Sequence, residues 1–530
     1  MTPVALFELV LVLLAAVVVL ELLSRRLRLP PAAAFVLGGG ALALAPGAPE
    51  LRLDPDLVLV LFLPPLLMAG AYTTAWRDFR ANLRIILQLA VGAVVFTTLV
   101  VGVAAHLVLP GLPWAACFAL GAIVSPPDAV AAKAVLAGLR LPRRIVVLLE
   151  GESLVNDATG IVLFRLAVAA AATGAFSPVA AAGSFAVLAV GGVLAGLAAG
   201  AASMAVIARL RDANLAVVFS LLTAWAAYIG GEALGVSGVL STVACGLVIG
   251  SRQHAAVSAA LRTRLSAVWG AVTYVLEALV FILIGLALRG VLGRLDSLPG
   301  GTAGLLLPGA AVLLAVVLSR FAWIVPTAYL SRLLLPALRR RDPYPPLAVP
   351  VVLSWAGMRG VVSLAVALGL PEGFPGRDAI LVITFAVILM TVLVQGTTLA
   401  PLIRWLKLGG FTLMQPETLP ETAARARVAA AQLAVVRSHA VLPDGTVRHP
   451  RLLEQYSYRA QASARFHEAA GSLDSRREEH FSTVLAAITA GRAELLRLHH
   501  EGSIHDSVLD ALEDELDLEE LSARRHLAEG

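Results

Sequence analysis

Between residues 4 and 403 the sequence passes through one apolar stretch of about 20 residues after another, separated by short charged loops. That is the length a helix needs to cross the hydrocarbon core of a bilayer, where each backbone N–H and C=O must find its partner inside the segment. Of the 530 residues, 58% are hydrophobic and only 15% charged, with a mean hydropathy of +0.84, which excludes an ordinary soluble domain. The pattern predicts an all-α polytopic membrane protein of about 13 spans. They lie near 4–23, 32–46, 56–75, 85–109, 114–132, 142–171, 179–208, 214–230, 234–250, 266–288, 301–331, 347–370 and 379–403.

Basic residues fall in alternate loops. One set of loops carries 21 of them, including Arg25, Arg77, Lys133, Arg143, Arg262, Arg339 and Lys407, and the other only 4, Arg52, Arg289, Arg294 and Arg377. Cytoplasmic loops hold the positive excess, so the first set is predicted inside, the N-terminus outside and, with an odd number of spans, the C-terminus inside. The first apolar run is followed by its positive cluster, Arg25, Arg26 and Arg28. A cleaved signal peptide has that order reversed, so the run is expected to remain as a helix. The net charge of +5 is then a matter of topology and implies no nucleic-acid partner. Cys117 and Cys245 sit in apolar spans without metal-type spacing, so neither a disulfide framework nor a zinc site is suggested.

Composition changes after Lys407. Residues 1–407 read as the transmembrane part, and 408–530 as a mainly helical cytoplasmic domain, with a regulatory role open to it. That second part contains ETAARARVAAAQLAVV and REEHFSTVLAAITAGRAELLRLHH, an acidic LDALEDELDLEEL, and eight of the ten histidines.

Ten ionisable residues fall within or at the ends of the spans: Glu8, Glu21, Asp128, Glu150, Glu152, Asp157, Arg165, Glu277, Arg320 and Arg359. Each costs about 2.5–3.5 kcal/mol at a bilayer centre even on lenient scales, and so needs a partner, a wet cavity or a route to the surface. Glu8 and Glu21 can snorkel from the ends of the first span. Glu150 is expected to neutralise Arg143 or Arg144. Arg165 and Glu277 have no assigned role at this level.

Asp157 lies about 15 residues into a helix of about 30, near mid-membrane. Ser153 stands four residues earlier on the same face, and Glu152 and Asn156 form a second i,i+4 pair on the adjoining face. One row thus offers a carboxylate with a hydroxyl beside it, the oxygen donors that a hard cation such as Na+ takes. The preceding span contains AIVSPPDAVAAKAV, whose successive prolines remove two donors and break the helix near Ser125. Broken backbone at membrane depth lines a cavity or is buried in protein, and its freed carbonyls can coordinate a cation. Ser125 and Asp128, at this break, join the candidate ligands. Seven spans later LSWAGMRGVVSLAVAL, with Gly357, Arg359 and Gly360, reads as a second interruption. Two inverted six-helix repeats joined by the seventh span would put these broken helices in equivalent places, crossing at the substrate site.

ESLVNDATGIV, SPPDAVAA, FLPPLLMAGAY, EALGVSGVLSTVACGLVIG, ALVFILIGLAL and GMRGVVSLAVAL together resemble the monovalent cation:proton antiporter family 1, the sodium/proton exchangers, in its bacterial form. The resemblance covers about residues 1–407. It implies exchange of Na+ for H+, a homodimer in the inner membrane of a bacterium, and no cofactor. It also implies that Asp157 binds Na+ and H+ alternately, with Asn156 as its neutral neighbour and Ser153 as a hydroxyl near the ion. Glu152 matches a glutamate held by a distant arginine, here Arg320, while Asp128 and Arg359 match the charges that offset exposed helix ends at the two breaks. Two departures are visible. Pro127 precedes Asp128 where many relatives have Thr-Asp-Pro, and Met68 and Ala69 follow PPLL where relatives often carry an acid. K+ and Li+ stay open as alternatives to Na+.

A bare carboxylate is costly to move through the membrane, whereas one neutralised by a cation or by a proton is not. Competition for Asp157 is thus sufficient for exchange by alternating access. Position 156 is Asn, which cannot titrate, and Arg320 does not release a proton near neutral pH as a lysine would. One titrating group implies electroneutral 1:1 exchange. A cation channel is the less favoured reading, since no repeated filter segment or ring of acids is visible. An enzyme is not expected, because no GxSxG, HExxH or glycine-rich phosphate loop occurs.

Overall fold

The computed structural model describes all residues except 1–2, 47–54, 137–138, 140, 211, 298–300, 335, 409–420, 444–445, 469–473, 502, 505 and 529–530. The chain divides into two compact units, Met1–Leu413 and Met414–Gly530. Among the described residues the chain is helical throughout, with only an isolated bridge between Val441 and Val447 outside the helices.

In the first unit the helices follow the apolar runs. They are α1 (Pro3–Leu27), α2 (Pro31–Leu44), α3 (Pro55–Thr73), α4 (Trp76–Val108), α5 (Trp114–Val124), α6 (Ala129–Leu136), α7 (Arg143–Thr173), α8 (Pro178–Ile207) and α9 (Ala213–Ala233). Then come α10 (Gly238–Ala256), α11 (Ala259–Leu286), α12 (Leu288–Ser297), α13 (Gly301–Leu334), α14 (Pro336–Arg341), α15 (Ala348–Trp355), α16 (Val361–Leu368) and α17 (Arg377–Trp405). Nine helices among the described residues are long and apolar enough to cross a membrane, and α2 and α5 are shorter apolar helices.

Local chemistry sets the ends. Ser177, Asp212, Ser237 and Ser258 accept from the N–H three residues on and so cap α8, α9, α10 and α11. Gly174, at φ 70°, closes α7 in the left-handed conformation that a side chain would resist. Helix α4 starts before its apolar run because Arg77, Asp78, Arg80 and Arg84 give its first turns a polar face. The span expected at 114–132 is two helices, α5 and α6, and that at 347–370 is again two, α15 and α16. A proline pair does not by itself break a helix: Pro64 and Pro65 lie inside continuous α3. Two turns widen to π geometry, Gln88–Ala93 in α4 and Thr391–Gln395 in α17, a distortion frequent at functional sites.

The helices pack as two groups. Helices α1, α2, α3, α8, α9, α10 and α11 lie against one another, and α4 to α7, α13 and α15 to α17 form the second set. Close approach in the first group depends on missing side chains. A Cβ on Gly192 or Gly200 of α8 would lie 2.6 or 2.9 Å from the carbonyl oxygen of Ser237 or Cys245 on the α10 side, and one on Gly196 would strike that of Ser241.

The second unit holds α18 (Glu421–Ala440), α19 (Pro450–Glu468), α20 (Asp474–His500) and α21 (Asp506–Ala528). Helices α18 and α19 pack as a hairpin, and so do α20 and α21. Arg492 joins the latter two by reaching Asp517 at 2.5 Å and Glu520 at 2.6 Å, which offsets part of the acidic stretch.

Candidate ion-binding site

Helix α7 runs through the second helix group and buries Glu152, Asn156 and Asp157 at 1%, 0% and 8% exposure. For three polar residues within about a turn and a half of one helix that burial is expensive unless each is answered. Glu152 is answered by Arg320 of α13, with Nη1 donating to Oε1 at 2.7 Å and Nη2 to Oε2 at 3.2 Å. Arg320 also donates to the Leu353 carbonyl at 2.9 Å, in the last turn of α15, where a cation offsets the helix dipole. Asn156 donates its amide to the Pro127 carbonyl at 2.5 Å. The Asp157 carboxylate faces a cavity.

The two helix breaks meet beside this row. Asp128 N–H donates to the Met358 carbonyl at 2.7 Å, so the broken backbones are bonded to each other. Arg359, fully buried, donates through Nε to the Val124 carbonyl at 2.5 Å, at the end of α5, and through Nη1 to Gly357. Its own N–H goes to Thr391 Oγ1 in the π turn of α17 at 3.1 Å. Arg359 thus stands where α5 and α15 present their negative C-terminal ends. Asp128 stands where α6 and α16 present their positive N-terminal ends. At the first break the Thr98 hydroxyl of α4 donates to the Ser125 hydroxyl at the end of α5 at 3.0 Å.

Gly360 is required at this crossing, because a Cβ there would run into the Asp128 carboxylate. Gly360→Ala is expected to cost about 1–3 kcal/mol and to lower the melting temperature of the detergent-solubilised protein. Gly309→Ala on α13, where nothing lies within 4 Å of the new methyl, should not lower it and, in a helix interior, is expected to raise it slightly. A melting scan of the two variants beside the wild type checks this.

A cavity of about 300 Å³ ends at Asp157. Its polar lining includes Tyr72, Asp128, Ser153 and Glu277, together with Lys133 and Glu150, which form an ion pair at 3.2 Å. The walls come from α3 and α11 of the first group and from α6, α7 and α16 of the second. Along α3 and α7 the lining residues belong to the parts nearest the arginine-rich loops, and along α11 they run from Ser266, beside Arg262 and Arg264, to Phe281, so the cavity extends from Asp157 toward those loops. Toward the opposite ends of the helices Arg165 on α7 pairs with Glu232 on α9 at 3.0 Å, across the two groups, and Arg294 on α12 pairs with Asp378 on α17 at 2.5 Å.

With this geometry in view, the comparison with protein families is decisive: the family described as "Sodium/hydrogen exchanger, transmembrane" matches residues 11–405. The chain belongs to the sodium/hydrogen exchanger family. It is a multi-pass membrane transporter, not an enzyme. An uncharacterized Na+/H+ exchanger of Mycobacterium tuberculosis is 34% identical, covering 96% of this chain and 94% of that one, so the likeness extends into the C-terminal unit. The sodium, potassium, lithium and rubidium/H+ antiporter of Bacillus subtilis is 32% identical and covers 75% of this chain. A solved structure, the sodium proton antiporter MjNhaP1 from Methanocaldococcus jannaschii, superposes with a TM-score of 0.60 at 20% identity, covering 77% of this chain and all of that one. It shares the fold.

The exchanger's predicted residues separate into two sets. Asp157, Ser153 and Asp128 line the cavity, whereas Ser125, Asn156, Glu152, Arg320 and Arg359 form the buried network behind it. The expected partner of Glu150 is corrected. Arg143 pairs with Asp78 at 2.9 Å and Arg144 with Asp342 at 2.9 Å, so Glu150 takes Lys133. The reason is the helix break, which lays α6 beside α7, while Arg143 and Arg144 lie about two turns below Glu150. Arg165, unassigned in the sequence, has Glu232. Sequence reasoning missed the cluster at Asp342, which receives Arg332 at 2.6 Å, Arg144 at 2.9 Å and Arg84 at 3.5 Å. The excess of arginines over acids in those loops was its only signal.

Proposed function

We propose that the chain is a secondary active transporter that exchanges Na+ for H+ across the bacterial plasma membrane, one for one, by competition of the two ions for Asp157. The observation that carries this reading is the Asp157 carboxylate, buried at the inner end of a cavity that extends toward the arginine-rich loops, beside two mutually bonded helix breaks. Cation or proton neutralises it, and either neutral form can cross. The proposed ligands are Asp157 and Ser153, with Asp128 in reach of the cavity; Ser125 and Asn156 hold the break that shapes it. Glu152 and Arg320 are read as a structural pair, and Arg359 as the charge that offsets two helix ends.

Electroneutrality rests on the neighbour. Asn156 carries no titratable proton and spends its amide on Pro127, which leaves one exchangeable charge per turnover. A second reading keeps the mechanism and changes the ion to K+ or Li+. It is favoured by the name of the Bacillus subtilis relative, whose printed substrates are sodium, potassium, lithium and rubidium. The arginine-rich loops are assigned to the cytoplasm, which puts the cavity's opening inside, the N-terminus outside and the C-terminal unit in the cytoplasm as a regulatory body. The transporter is taken to work as a homodimer.

Proteoliposomes carrying the full chain test this. Addition of Na+, Li+ or K+ is expected to move protons, with choline inactive, and the rate should not change when a potassium–valinomycin clamp sets the potential to zero. Ending the chain at residue 413 should alter the pH profile and keep the exchange. A rate that depends strongly on the potential would overturn the 1:1 reading.

A further inference from the structure

The cavity has a second carboxylate on its other wall, and no step described so far uses it. Glu277 projects from α11, in the first helix group, while Asp157 projects from α7, in the second. Among the described residues neither carboxylate has a hydrogen-bond or ion-pair partner in the protein, and each lines the cavity. The remaining charged groups in the lining are otherwise engaged: Lys133 and Glu150 pair with each other, and Asp128 lies against Gly360 at the crossing. Tyr72 is bonded to Gln253. Glu277 is thus an uncommitted carboxyl group facing the space through which a cation must pass.

Resting on the antiport reading above, we propose that Glu277 is a cation-positioning residue that acts on one side of the membrane only. Two carboxylates on opposite walls strengthen the hold on a cation while the cavity is open toward the arginine-rich loops. Alternating access moves one helix group against the other around the site. The two acids sit on different groups, so that motion carries Asp157 to the far face and leaves Glu277 behind. The exchanger therefore binds its cation more tightly from the arginine-rich face than from the opposite one, and the difference belongs to Glu277.

The test compares Glu277→Gln with the wild type in everted and right-side-out membrane vesicles, using Na+ and K+ as probes and proton movement as readout. Expected is a rise of about tenfold or more in the cation concentration for half-maximal exchange from the arginine-rich face, with no change from the other. Glu277→Asp, which keeps the charge, should preserve the wild-type ratio of the two values. Should Glu277→Gln not assemble, Glu277→Met carries the same expectation. An equal effect on both faces, or none, overturns the proposal. Wild-type vesicles that show no cation-dependent proton movement on either face would instead overturn the antiport reading, so the two failures are distinguishable.

Discussion

Asp157→Asn is expected to bring cation-driven proton movement down to the level of empty liposomes while the protein still reaches the membrane and melts near the wild-type temperature. The substitution removes the carboxylate at which the two ions are proposed to compete, and it keeps the size of the side chain. No compensating fold cost arises, because the Asp157 carboxylate has no hydrogen-bonded partner in the described structure to abandon. The amide stays neutral with or without an ion, so nothing couples the crossing of the site to cargo. Measuring proton movement and melting on the same preparation separates the two effects, and residual exchange above about a tenth of the wild-type rate would show that a second group carries the cation.

The second large effect is on folding. Glu152 and Arg320 are each about 2% exposed and form two hydrogen bonds to one another. Removing one partner leaves a buried charge unanswered, at about 3–5 kcal/mol. Glu152→Gln and Arg320→Gln should each cut the yield of folded protein several-fold. The double substitution should recover part of the loss, since two neutral amides can bond where two charges did. Fluorescence-detected size exclusion of the three variants is the measurement. A normally folded Glu152→Gln with only its cation affinity altered would overturn the structural role.

Much of this was legible in the sequence for a simple reason. In a bilayer the length of an apolar run is itself the signal for a helix, and a charge or a Pro-Pro inside such a run stands out against it. That is how Asp157, Glu152, Arg359 and the break at Ser125 could be singled out. Partners between distant helices were not legible. A helix such as α2, PAAAFVLGGGALAL, is apolar on every side, so periodicity does not tell which face meets which neighbour. The pairing of Arg165 with Glu232 and the aim of Glu277 into the cavity follow from packing alone. Nor could composition distinguish Pro64-Pro65, which α3 absorbs, from Pro126-Pro127, which lies between α5 and α6. What differs is the surroundings: the second pair is followed by Asp128, whose N–H is taken by Met358 of the other break.

The ion pair that joins the helix groups opposite the cavity, Arg165 with Glu232, is built from side chains one third to one half exposed. Pairs so open to water and salt contribute about 0–1 kcal/mol each. A fastening this weak sets an energy scale. Opening such a pair adds little to the work of moving one helix group against the other. On that side the hold between the groups is left to apolar packing, which can slide without breaking a buried charge pair.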